Sequence, residues 1–138
     1  MASLTERLTE RGWRMTPQRR VISAVFDVSG PQNIHLTADE VLERAVAALP
    51  EISRATVYNT LGELVEAGEL LSVRVGDRIT RYDPNVSANH HHMVCNGCGA
   101  IFDVPARGMR APHTSGVADG FVVQSTEVIY RGLCADCA

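Results

Sequence analysis

Two Cys-x-x-Cys pairs, Cys95/Cys98 and Cys134/Cys137, with 35 residues between them, constrain this chain more than any other feature. Each pair places two thiols on one tight knuckle, and four thiolates complete a closed tetrahedral site for structural zinc. Two disulfides, or a dithiol redox pair beside two structural cysteines, are the competing readings. The chain lacks the charged start, apolar core and cleavage site of a secretory signal, which places it in a reducing cytoplasm and weighs against disulfides. No run approaches the ~18 apolar residues that span a bilayer, so no membrane role is expected. At 138 residues the chain has the length of one ordinary domain or two small ones, and a thin core benefits from a metal staple.

The first half reads as helical. After a short helical stretch over 4–11, Thr16 and Pro17 supply an N-cap and a first-turn proline, and Val21, Ile22, Val25 and Phe26 follow at helical spacing. Gly30-Pro31 ends that helix. Thr37 and Glu40 predict a capping box heading a helix that carries Val41, Leu42, Ala45, Val46 and Leu49 and stops at Pro50. Ser53 opens another, with Val57, Leu61, Leu64 and Val65 on its inner stripe and Gly68 beyond its end. Two helices joined by the short turn Pro50-Glu51-Ile52, the second polar on its outer face, form a helix-turn-helix pattern.

Strands over 70–75 and 78–83, joined by Gly76-Asp77 as a two-residue turn, predict a wing beside that recognition helix. The net charge of −3 hides a local excess, because residues 1–20 hold Arg7, Arg11, Arg14, Arg19 and Arg20 against only Glu6 and Glu10. Arg54, Thr56, Tyr58 and Asn59 on the outer helix face can reach phosphates, thymine methyls and base edges, and Arg74, Arg78 and Arg81 lie along the wing. Helix order, wing and basic N-terminus together predict binding to double-stranded DNA, with Arg14, Arg19, Arg54, Thr56, Tyr58, Asn59 and Arg78 as contacts.

The second half is built around metal. Strand alternation sends His90 and His92 to one face and His91 to the other, so two imidazoles one pleat apart can share an ion. Beyond the Cys95 knuckle the chain returns as a strand that brings Asp103 to their level, and His35 and Asp83 are the natural further donors. His113, among Pro112, Thr114 and Gly116, reads as a surface histidine.

These motifs make a specific resemblance. Gly12-Trp13-Arg14-Met15-Thr16-Pro17-Gln18-Arg19, His35-Leu36-Thr37-Ala38-Asp39-Glu40, Ser53-Arg54-Ala55-Thr56-Val57-Tyr58-Asn59-Thr60-Leu61, the His90-His91-His92 run with Cys95/Cys98, and Gly132-Leu133-Cys134-Ala135-Asp136-Cys137 are similar, in this order, to the ferric uptake regulator family of metal-responsive bacterial repressors. The resemblance implies an α+β chain. A winged helix-turn-helix domain over 1–83, a hinge near 82–88 and a small α/β, zinc-stapled dimerisation domain over 84–138 are expected, acting as a homodimer.

Asp at both 83 and 103 resembles the peroxide-sensing branch, where iron- and zinc-uptake members tend to place Glu. By that resemblance His35, Asp83, His90, His92 and Asp103 hold regulatory Fe(II) or Mn(II), ions that suit a mixed nitrogen and oxygen donor set. The implied mechanism is that metal favours the DNA-competent arrangement by ~2–3 kcal/mol of differential affinity. Peroxide acting at Fe(II) then oxidises His35 or His90 and releases the operator. The alternatives are an iron- or zinc-uptake repressor sensing the metal itself, and a zinc or dithiol enzyme, for which no His-x-Glu pair accompanies the cysteines. Two departures from the family pattern stand out. Gln124-Ser125-Thr126-Glu127-Val128 lacks the histidine of a further metal site, and the stretch from Pro105 to Gly120 is poor material for the helix usually found there.

Overall fold

A computed structural model describes residues 2–28, 35–86, 90–106, 119–123 and 126–138. The chain divides into two compact units, Met1–Ser87 and Ala88–Ala138. The expected helix-poor stretch between Pro105 and Gly120, with His113, falls largely outside the described residues, as do Gln124 and Ser125.

In the first unit the helices are α1 (Leu4–Glu10), α2 (Pro17–Val28), α3 (Ala38–Ala48) and α4 (Arg54–Glu66). Their starts follow from hydroxyl caps that satisfy amide groups with no partner inside the helix. Thr16 Oγ1 accepts from Arg19 N at 3.3 Å, Thr37 Oγ1 from Glu40 N at 3.1 Å and Ser53 Oγ from Thr56 N at 3.1 Å. A complete capping box stands at α1, where Ser3 and Glu6 each satisfy the other's backbone amide, a pairing the sequence reading passed over. Gly68, at φ +75°, ends α4: its amide bonds to Val65 O and the Glu69 amide to Leu64 O, the Schellman arrangement for which glycine is best suited.

The inner stripe of α4 is as expected, with Val57, Leu61 and Leu64 buried against Ile22 and Phe26 of α2 and Val41 and Ala45 of α3 in one core. Of the apolar residues expected along α3, Val46 is exposed, because at one position past the buried Ala45 it has rotated off the core stripe. The wing is a three-stranded sheet in the order β1 (Leu36–Thr37), β3 (Thr80–Asp83), β2 (Leu71–Arg74), antiparallel throughout. β1 was not expected, being two residues long and pairing across more than forty residues of chain. The hairpin pairs Arg74 with Thr80, so its loop runs over 75–79 and not through a two-residue Gly76-Asp77 turn. Arg78 takes the left-handed conformation there, at φ 64°, and Asp77 secures the loop by accepting from Ile79 N and pairing with Arg81 at 2.8 Å.

The second unit is a three-stranded sheet in the order β5 (Ile101–Pro105), β4 (His90–Cys95), β6 (Ile129–Gly132), with β5 antiparallel and β6 parallel to the central strand. Among the described residues no helix is long and apolar enough to cross a membrane.

Candidate metal centres and nucleic-acid face

The four thiols meet where β4 ends and β6 ends. Cys95 closes β4, and a tight turn with Gly99 N bonded to Cys95 O brings Cys98 back beside it. The pairing of Cys95 with Gly132 sets the chain that follows β6, with Cys134 and Cys137, alongside. All four Sγ atoms lie within 4.8 Å of one another, and Cys98 Sγ stands 3.9 Å from Cys134 Sγ. A zinc ion with Zn–S bonds of about 2.3 Å spaces its sulfurs about 3.8 Å apart, so the donor set fits a tetrahedral four-cysteine site. Gly97 makes room: a Cβ there would sit 3.0 Å from Cys137 Cβ and Sγ.

The electrostatics of the cluster also call for a cation. The amides of Cys134 and Cys98 donate to Cys95 Sγ, at 3.3 and 3.5 Å, and pull its pKa down to about 6. Cys137 is pushed up to about 12 by the neighbouring thiols of Cys134, Cys95 and Cys98. Several thiolates cannot crowd together uncompensated, and a bound divalent ion removes that penalty. All four cysteines are free in the structure, spaced as ligands of one ion.

The expected regulatory donors fall in two groups, one in each unit. In the first, pairing of Leu36 with Tyr82 sets His35 opposite Asp83 as the next step of the β1–β3 register. Both side chains are buried, and His35 Nε2 lies 3.3 Å from Asp83 Oδ2. The other oxygen, Asp83 Oδ1, accepts from Asn85 N at 2.8 Å, which fixes the carboxylate's orientation.

In the second unit Asp103 pairs directly with His92 across β4 and β5. Its Oδ1 lies 3.5 Å from His90 Nε2 and 3.6 Å from His92 Nε2, with the two rings edge to face at 4.9 Å. Two donors that each bind an ion at about 2.1 Å lie at most about 4.2 Å apart, so the donors within each group are spaced as ligands of a common cation would be, and their imidazole and carboxylate chemistry suits Fe(II) or Mn(II). His91 points away, and its Nδ1 accepts from Val128 N at 3.2 Å. The sequence reading missed one neighbour of this group: Glu127 Oε1 stands 3.1 Å from His92 Nδ1.

The residues expected to contact DNA all lie in the first unit. On α4, Arg54, Tyr58 and Asn59 are exposed and Thr56 half-buried, its hydroxyl accepting from Ser53 Oγ at 2.9 Å. Arg54 pairs with Asp39 at the head of α3. Arg14 and Arg78 are exposed, whereas Arg19 is more occupied, stacked over Trp13 at 5.1 Å and paired with Glu63 at 3.0 Å. An ion cluster around the buried Glu69 had no local sequence signal: Glu69 receives Arg7 Nε at 2.9 Å and the exposed Arg11 Nη1 at 2.6 Å.

The profile of the Ferric uptake regulator family matches residues 10–131. The chain belongs to that family. It is 39% identical over 137 residues to the transcriptional regulator FurA of Mycobacterium tuberculosis, covering 96% of this chain and 88% of FurA. To the peroxide operon regulator of Bacillus subtilis it is 32% identical over 134 residues, covering 96% and 90%. The crystal structure of the Campylobacter jejuni peroxide stress regulator is similar at a TM-score of 0.67 and 27% identity, covering 99% of this chain and 100% of that one. The chain is accordingly a metal-responsive transcriptional regulator with a winged helix-turn-helix and a second domain whose four cysteines fit a zinc site, and the enzyme reading is excluded.

Proposed function

We propose that this regulator is a peroxide-responsive repressor that binds operator DNA as a homodimer. Its regulatory Fe(II) or Mn(II) is held by His35, Asp83, His90, His92 and Asp103, and Cys95, Cys98, Cys134 and Cys137 hold structural zinc. The observation that carries the reading is that both carboxylates among the expected donors are aspartates, each facing an imidazole within its own unit. The peroxide regulators among its relatives support the same branch.

Fe(II) held there would activate peroxide beside these side chains with no net loss of its own electrons, the two electrons that reduce peroxide coming from the imidazole ring. His35 or His90 then gains one oxygen atom from peroxide, whose other oxygen leaves as water. The modified ring is a poorer donor, the metal-dependent hold on DNA is lost, and the operator is freed. Arg54, Thr56, Tyr58 and Asn59 face the groove, with Arg14, Arg19 and Arg78 supplying phosphate contacts. Exposed apolar side chains in the second unit, Phe121, Val122, Tyr130 and Leu133, provide surface for a second copy.

The test compares Fe(II)-loaded and Mn(II)-loaded protein under a small excess of peroxide, following operator binding and peptide mass. Release with added oxygen on the His35 or His90 peptide is expected only with Fe(II). Retention of DNA with no histidine modified would instead select a repressor that senses iron or zinc itself.

A further inference from the structure

We propose that Glu127 is a positioning residue for the regulatory metal, holding the His92 ring so that Nε2 is its metal-binding nitrogen. The inference rests on the reading of His92 as a ligand and names a residue outside that ligand set.

His92 is held from both sides. Its side chain is 4% exposed, with Nε2 directed to Asp103 and Nδ1 to Glu127 Oε1 at 3.1 Å. A neutral imidazole carries one proton, and a carboxylate at Nδ1 draws that proton to Nδ1 and leaves the Nε2 lone pair for a cation. Carboxylates placed behind ligating histidines in this way fix the ring and raise its basicity.

The short stretch 127–128 treats two consecutive histidines in opposite senses. Val128 O accepts the His92 amide at 3.2 Å, and Val128 N donates to His91 Nδ1, also at 3.2 Å. The His91 Nδ1 lone pair is thereby used, and that ring keeps its proton on Nε2. His92, one residue on, is turned into a donor at Nδ1 and an acceptor at Nε2. The run His90-His91-His92 presents three chemically equal side chains in sequence, and the contacts of Glu127 and Val128 differentiate the second from the third.

Glu127 is half exposed, so its contact with His92 contributes little to folding. Its effect on metal affinity is therefore separable from any effect on stability.

The experiment uses the full zinc-loaded chain, with Mn(II) titrated and free Mn(II) followed by electron paramagnetic resonance. Glu127→Ala should weaken Mn(II) binding about 10–100-fold. Glu127→Gln, whose carbonyl still accepts from Nδ1–H, should recover most of that loss. Zinc content and thermal unfolding should match the parent in both. His92→Ala serves as the reference and should abolish the binding. Parent-like Mn(II) affinity in Glu127→Ala, with His92→Ala impaired, would overturn the proposal and leave the ligand reading standing. Parent-like affinity in His92→Ala would remove the ligand reading itself. A Glu127→Gln variant as weak as Glu127→Ala would make Glu127 a charge or a ligand and not the holder of the ring, and would also overturn the proposal.

Discussion

Arg7 reaches Glu69 across 62 residues of chain, its Nε 2.9 Å from a carboxylate that is otherwise sealed from solvent. The same guanidinium donates to the backbone oxygens of Glu69 and Pro84, at 3.0 and 3.3 Å, so one side chain ties α1 to the end of α4 and to the residue after Asp83. Removing one partner of a buried pair leaves a charge without compensation, while removing both leaves an apolar site. Arg7→Met should therefore cost about 3 kcal/mol of stability, with Arg11 retaining part of the interaction. The double variant Arg7→Met/Glu69→Leu should recover most of that loss. Denaturant unfolding followed by Trp13 fluorescence measures both, and a single variant no less stable than the double would contradict the account.

The legible parts of this chain were those whose signal is local or periodic. The caps at Thr16, Thr37 and Ser53, the Val57/Leu61/Leu64 stripe and the glycine stop at Gly68 are each decided by a few neighbouring residues, and all stand in the structure. Alternation along β4 likewise placed His90 and His92 together with Asp103. Pairings between distant segments were invisible. β1 is two residues long, the wing loop depends on cross-strand register, and neither the Arg7–Glu69 pair nor the Glu127–His92 contact has any sequence period to announce it. Glu127 was legible only as part of a stretch, Gln124-Ser125-Thr126-Glu127-Val128, that lacks a family histidine, which says what is missing there and not what Glu127 does.

The four-cysteine site should be structural. Cys134→Ser leaves three thiolates, and zinc content should fall together with thermal stability and with the integrity of the second unit, since structural zinc contributes folding energy directly. The protons displaced by zinc report on the same cluster. Near pH 7.5 Cys95 is already ionised, with its pKa near about 6, whereas Cys137, near about 12, and Cys98, also raised, must each give up a proton. As pH falls below about 6 Cys95 adds its own proton to the count, so zinc affinity should drop more steeply with acidification. Calorimetry in buffers of different ionisation enthalpy counts these protons. A folded, zinc-free Cys134→Ser protein of parental stability would refute the structural assignment.

Recognition by α4 makes separable predictions for two exposed residues. Tyr58→Ala should weaken binding to the preferred operator by about 1–3 kcal/mol while leaving non-specific binding unchanged, if the ring touches a base edge. Arg54 pairs with Asp39 at the surface, an interaction weak enough to be exchanged for a phosphate. Arg54→Ala should accordingly lower affinity for all sequences and reduce the slope of log K against log salt by about one. Metal content should be unaltered in both. Two variants with parental affinity across the salt titration would place the DNA on another face.

Asp103 offers the sharpest separation of metal binding from peroxide sensing. Its carboxylate stands opposite His92 and near His90, and replacing it by glutamate keeps the charge while adding one methylene, which changes reach and angle. A ligand of the same charge should preserve metal-dependent operator binding, whereas altered geometry should change how open Fe(II) is to peroxide. Asp103→Glu and the parent would both be loaded with Fe(II), bound to operator and given peroxide in small excess. The parent is expected to release DNA and gain oxygen on the peptide holding His35 or His90, and the variant to keep most of its DNA with far less modification. Mn(II)-loaded samples of both should stay bound. If parent and variant release DNA equally and are modified equally, the identity of the carboxylate at 103 does not govern the response, and the choice of branch by Asp83 and Asp103 loses its physical basis.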